Sequence, residues 1–204
     1  QRPALTHSLV EAGLRQVSPT GFFRLRLSGE VGDAPTDLGV ERSFLRAGAL
    51  LGDVWDQLAA GRMPNPVPLR RVVTEIVDAS AELDIVADEA ALPDEGASAY
   101  ARHCRRVCAM SIVVGRDLGL TQASLADLGV AAMFHDAGYA SRRDGQPPGF
   151  DSHPIATLRV LLRQRGFHPA KLRRQLASVH HHRNFTEKPV LYGRILRVAD
   201  DFDT

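Results

Sequence analysis

Eight histidines are unevenly spread through this 204-residue sequence, and seven of them follow residue 100. His103, the pair His135-Asp136, His153, the run His180-His181-His182 and Asp200 succeed one another along the second half. Each offers an imidazole nitrogen or a carboxylate oxygen, a donor set that suits Fe, Mn, Zn, Ni or Co better than Cu(I) or an iron–sulfur cluster. Neighbouring residues on a helix point about 100° apart. His135 can therefore face one ion while the two oxygens of Asp136 reach toward a second. The ligand candidates are His103, His135, Asp136, His153, His180, His181 and Asp200. That is too many for one tetrahedral ion and suits two ions sharing a bridge. A two-metal site acidifies water and clamps the oxygens of a phosphoryl group. Phosphoester hydrolysis is the expected reaction, with His135 and Asp136 at its centre.

These residues must be brought together by helices. From residue 97 onward the apolar residues recur at helical spacing. A first helix carries Tyr100, His103, Val107 and Val114 and ends at Gly119. Thr121 is a good N-cap for a second, running through Leu125, Leu128 and Phe134 to His135-Asp136. Pro154 and Pro169 suit the first turns of a third and a fourth, the third ending at Gly166 and the fourth leading into the histidine run. A fifth carries Leu191, Ile195, Val198 and Asp200. Five helices, each delivering a His or Asp, predict an all-α bundle with a site in its core. His7 and His168 are expected to stand outside it, His168 beside the cap of the Pro169 helix.

Upstream, residues 1–92 read as a smaller, mostly helical region. A short amphipathic helix is sketched by Leu5, Leu9, Leu14 and Val17, and the alternating Phe22–Leu27 segment reads as a strand or extended stretch. A helix is expected over 40–60, stopped by Gly61. Met63–Pro68 reads as a stiff linker, and a further helix runs from Val72 to Val86. Pro93–Gly96 marks the boundary to a second domain at 97–204.

Net charge is +1, from 25 Lys plus Arg against 24 Asp plus Glu. That argues against DNA binding driven by bulk charge and against a polybasic membrane anchor. No apolar run approaches the roughly 18–20 residues of a membrane span, and no signal peptide opens the chain. Cys104 and Cys108 lie one helical turn apart and are expected in the core as reduced thiols. A cytoplasmic setting follows. A sequence that begins at Gln1 and stops just after an apolar helical pattern reads as a piece of a longer chain.

Several segments resemble the HD superfamily of metal-dependent phosphohydrolases, and within it the HD-GYP branch. They are Tyr100–Val107, Leu118–Leu120, Ala131–Gly138 around His135-Asp136, Ser152–Pro154, His180–Arg183 and Arg194–Asp203. The resemblance covers residues 97–204. It implies an all-α domain that hydrolyses cyclic di-GMP with two or three metals, often iron or manganese. It also implies fusion to an N-terminal regulatory region, a role residues 1–92 could fill, as they could contact a signalling partner or a second copy.

The sequence departs from that pattern at defined places. The Gly-Tyr-Pro motif is absent: His180-His181-His182-Arg183 leads through Asn184–Pro189 directly into the last helix. His182 stands where the family has Glu if the ligand pair is His180-His181. If the pair is His181-His182, Arg183 stands there. Tyr139 occupies the place of a family lysine, and Ala99 that of an acidic residue that supports a third metal, so two metals are expected. The Asp136–His153 stretch is short, through reduced loops or through loops missing from this sequence. Arg142, Arg143 and Arg183, with Tyr139, are the candidates for contacting substrate phosphate. A degenerate, inactive signalling module and a mononucleotide-hydrolysing HD nucleotidase are the competing readings.

Overall fold

A computed structural model describes residues 38–93, 98–141, 148–164 and 168–203. The Leu5–Val17 and Phe22–Leu27 segments lie outside these, as do Arg142, Arg143 and Gly166. The described residues form eight α-helices and no strand, in line with the all-α expectation.

Helix α1 (Leu38–Ala59) buries Val40, Phe44, Ala47, Leu51, Val54 and Leu58. Their three- and four-residue spacing makes one apolar stripe. Gly61, at φ 71°, ends the helix in the left-handed conformation that glycine adopts at little cost. Helix α2 (Val67–Ala79) starts inside the expected linker, because Pro68 fits the first turn, where its missing N–H is no loss. The single helix expected from Val72 to Val86 is two. The Ser80 hydroxyl turns back to donate to the Val77 carbonyl at 2.7 Å. The Asp84 carboxylate then accepts from Ala87 N–H at 3.2 Å and caps α3 (Ile85–Ala90). The apolar periodicity runs through this break and hides it.

Helix α4 (Ala99–Asp117) and helix α5 (Gln122–Phe134) form the most extensive pairing. Thr121 caps α5 as expected, accepting from Ser124 N–H. From Leu128 to Phe134 every residue of α5 is buried, as befits a helix enclosed by neighbours on all sides. It packs against α2, α4 and α7 (Pro169–His180), and touches α8 (Leu191–Asp203). Helix α6 (His153–Leu162) lies between α7 and a 3-10 turn at Ala137–Ala140.

One apolar core joins the helices on both sides of Pro93–Gly96. Phe44, Leu51, Leu69, Ile76 and Ile85 from upstream meet Cys104, Ile112, Leu128, Met133 and Leu196 from downstream. Burying each such large side chain contributes about 1.5–3 kcal/mol. Both cysteines are buried and free, in line with the sequence expectation.

Candidate metal centre

Helix ends carry most of the polar cluster. His135 caps the C-terminus of α5, and Asp136 opens the 3-10 turn that follows. His153 begins α6. His181 caps α7, with His182 next to it. His103 comes from within α4, and Asp200 from the last turn of α8. His135, His153 and His181 are completely buried, and Asp200 is 7% exposed.

The two oxygens of Asp136 face different neighbours. Oδ1 lies 3.0 Å from His153 Nε2, 3.6 Å from His181 Nε2 and 3.6 Å from His135 Nε2. Oδ2 lies 3.7 Å from His103 Nε2. Asp200 spans the cluster in the same way. Its Oδ1 is 3.1 Å from His103 Nε2 and 3.9 Å from His135 Nε2, and its Oδ2 is 3.8 Å from His182 Nε2. Three overlapping groups of convergent ligand atoms result: His103 with His135 and Asp136, His153 with His181 and His182, and His135 with His181 and Asp200 between them.

The Nδ1 atoms of four histidines each meet an oxygen. His135 Nδ1 donates to the Ala132 carbonyl at 2.7 Å, His153 Nδ1 to Phe150 O at 2.6 Å and His181 Nδ1 to Ser178 O at 2.7 Å. His103 Nδ1 donates to Asp203 Oδ2 at 2.8 Å. In a neutral imidazole the other nitrogen is then a bare acceptor. Yet the Nε2 atoms of His103 and His135 stand 3.2 Å apart, and those of His153 and His181 3.1 Å apart. Asp136 Oδ1, buried among them, has no hydrogen-bond donor. Two neutral imidazoles cannot both accept there, so each pair needs a proton or another cation between its nitrogens. Two nitrogens about 2.0–2.1 Å from a tetrahedral ion stand roughly 3.3 Å apart, so these spacings fit a divalent metal at each pair.

Electrostatics sets His103 and His135 apart from His181 and His182. Burial disfavours charge on His135, but the Asp136 charge and the Asp200 hydrogen bond raise its pKa well above the ordinary value. His103 is also raised, its bonds to Asp200 and Asp203 outweighing burial and the neighbouring His135. Burial lowers His181 despite Asp136, and takes His182 down to about 4 with help from His181. Burial would raise the two carboxyls, but His135 with His153 and His181 holds Asp136 well below the carboxylate range. His103 and His135 do the same for Asp200.

The structure gathers His103, His135, Asp136, His153, His181 and Asp200 into one cluster and places His180 outside it. The His180 Nδ1 accepts from Val190 N–H at 3.1 Å, which ties the end of α7 to the start of α8. Gly193 makes room for it: a Cβ there would lie 2.7 Å from His180 Cβ. The adjacent pair in the cluster is therefore His181-His182. Arg183 is exposed beside Glu187. Tyr139 stacks on the His153 ring at 4.3 Å, and burial with the Asp136 and Asp200 charges pushes its hydroxyl up to about 12. His168 caps α7, its Nδ1 accepting from Ala170 N–H.

Three contributors escaped the sequence reading. The buried Thr157 accepts from Gly138 N–H at 2.8 Å and donates to the His135 carbonyl at 3.0 Å, joining the His135-Asp136 turn to α6. It lies one turn after His153 on the same face, a spacing that points to it. Asp203 lies one turn after Asp200. Phe150 packs its exposed ring 4.4 Å from His182 at the rim.

A family model described as "HD domain" matches residues 100–204. No curated protein and no solved structure matches the chain significantly.

Proposed function

The chain belongs to the HD domain family, and from that premise we propose that its His–Asp cluster is the centre of a two-metal phosphoester hydrolase. Membership suggests metal-dependent phosphohydrolase chemistry. The observation that supports the finer reading is that two pairs of Nε2 atoms, 3.2 and 3.1 Å apart, converge on the two oxygens of Asp136. His103, His135 and Asp200 with one Asp136 oxygen would hold one ion. His153, His181 and His182 with the other would hold the second. When bound, the ions supply Lewis-acid charge for phosphoryl oxygens and acidify water. Asp136 sets the spacing of the two groups. The carbonyl-bound Nδ1 atoms keep the rings oriented and would leave their Nε2 lone pairs available to the ions. Iron and manganese are the proposed metals.

The proposed substrate is a cyclic dinucleotide, cyclic di-GMP, to which the sequence resemblance points. The exposed Phe150 ring beside His182 supports it, because an aromatic face at the rim offers a base a stacking surface. Tyr139, already stacked on His153, supplies a hydroxyl that stays protonated at neutral pH in place of a cation.

The test is hydrolysis of cyclic di-GMP, and separately of a set of mononucleotides, by Mn- or Fe-loaded protein. Turnover of the cyclic dinucleotide is expected, falling more than about 100-fold in Asp136→Ala, since even a ligand's hydrogen-bond partner is worth 10- to 100-fold. Turnover of mononucleotides alone would replace the substrate while keeping the reaction class. Inactivity with every substrate and metal would overturn the enzyme reading.

A further inference from the structure

Three of the convergent imidazoles are aimed by one device. His135, His153 and His181 each donate Nδ1–H to the carbonyl three residues back. His135 and His181 stand at helix C-termini, where carbonyls lack helical N–H partners, and His153 meets a carbonyl of the turn that precedes its helix. His103 has no such option, because it lies inside α4. Its Nδ1 donates instead to a side chain 100 residues away, Asp203 Oδ2 at 2.8 Å.

Asp203 is itself held from behind. Its Oδ1 faces Arg106 Nη1 at 3.8 Å, and Arg106 Nε faces Glu89 Oε2 at 3.5 Å. The other Glu89 oxygen accepts from Arg105 Nε at 3.1 Å, and Glu89 and Arg105 are both only 2% exposed. Glu89 belongs to α3, upstream of the segment that matches the family.

We propose that Asp203 is the positioning residue of His103, and that Arg106 and Glu89 anchor Asp203. The carboxylate takes the Nδ1 proton, which leaves the Nε2 lone pair directed at the cluster and makes it a stronger donor. Arg106 draws the other carboxylate oxygen away from His103 and so fixes the rotamer. The upstream helix thus reaches a ligand of the site through one carboxylate that serves two consecutive arginines. The metal half of this inference rests on the metal-centre reading. The tautomer half does not, and the experiment separates them.

Long-range proton–nitrogen NMR of the metal-free protein, recorded above the histidine titration range, reads the tautomer of each ring. In wild type His103 is expected with its proton on Nδ1. In Asp203→Ala the proton moves predominantly to Nε2, the form free imidazoles favour, while His135, His153 and His181 are unchanged. Calorimetric Mn affinity falls about 10- to 100-fold in the same variant, and Asp203→Glu restores part of it. Replacing Glu89 would strip the buried Arg105 and threaten folding, so Arg106→Met tests the anchor, with about a three- to tenfold loss expected. An unchanged His103 tautomer together with wild-type Mn affinity in Asp203→Ala overturns the positioning role. Wild-type affinity in Arg106→Met overturns the anchor. If wild type binds no Mn yet the tautomer still depends on Asp203, the positioning role stands and the metal reading fails.

Discussion

Among the residues of the cluster, the two pairs of histidines with opposed pKa shifts set the stability of the metal-free protein. His103 and His135 have folded values above the unfolded value of about 6.5. Their contribution is complete below that value and is lost as pH rises through the folded values. His181 and His182 are lowered, His182 to about 4. They bind protons more readily unfolded, so their effect removes stability as pH falls from about 6.5 toward 4. Asp136 and Asp200, held low, add a further loss once pH drops below about 4. Thermal unfolding of the metal-free protein is therefore expected to peak near pH 6.5, with saturating Mn flattening the alkaline limb. A melting temperature that climbs steadily above pH 7 without metal would contradict this. The donor types were legible in the sequence because chemistry resides in the side chain. The register at His180-His181-His182 was not, because three consecutive histidines carry no sign of which ring Val190 N–H will engage.

At the scale of elements, the approach of α6 to the 3-10 turn decides whether His135, Asp136 and His153 meet. A Cβ on Gly138 would lie 2.4 Å from the His153 carbonyl and 2.6 Å from Thr157 N, both backbone atoms that cannot swing aside. Gly138→Ala is expected to cost about 3 kcal/mol and to weaken Mn binding, measured by urea unfolding and calorimetry. In α1 a Cβ on Gly52 would meet nothing within 4 Å. Gly52→Ala should instead stabilise by about 0.5–1 kcal/mol. Similar responses at the two sites would mean that the close approach at Gly138 does not govern the site. Capping residues made several boundaries readable: Thr121, Pro154 and Pro169 each sit where local chemistry demands a helix start. The break at Ser80–Asp84 was obscured because Val72, Val73, Ile76, Val77 and Ile85 all face the core, whichever helix carries them.

Across the whole molecule, the core continues upstream of the HD match. Ile76 and Ile85 are buried in the same cluster as Cys104 and Leu128, so the helices before Pro93 help to hold α4 and α5, and through them His103 and His135. Sequence periodicity marks which face of each helix is apolar. It does not say which other face covers it, and so it could not pair α2 with α5 across the Pro93–Gly96 break. The near-neutral net charge is compatible with the proposal that bound ions, not a basic surface, would attract phosphate. The metal content of the purified chain tests the proposed dependence on metal. After loading with Mn or Fe and gel filtration, elemental analysis should find two ions per wild-type chain and fewer than one in Asp136→Ala. A wild-type chain that retains no metal would rule out the two-metal site.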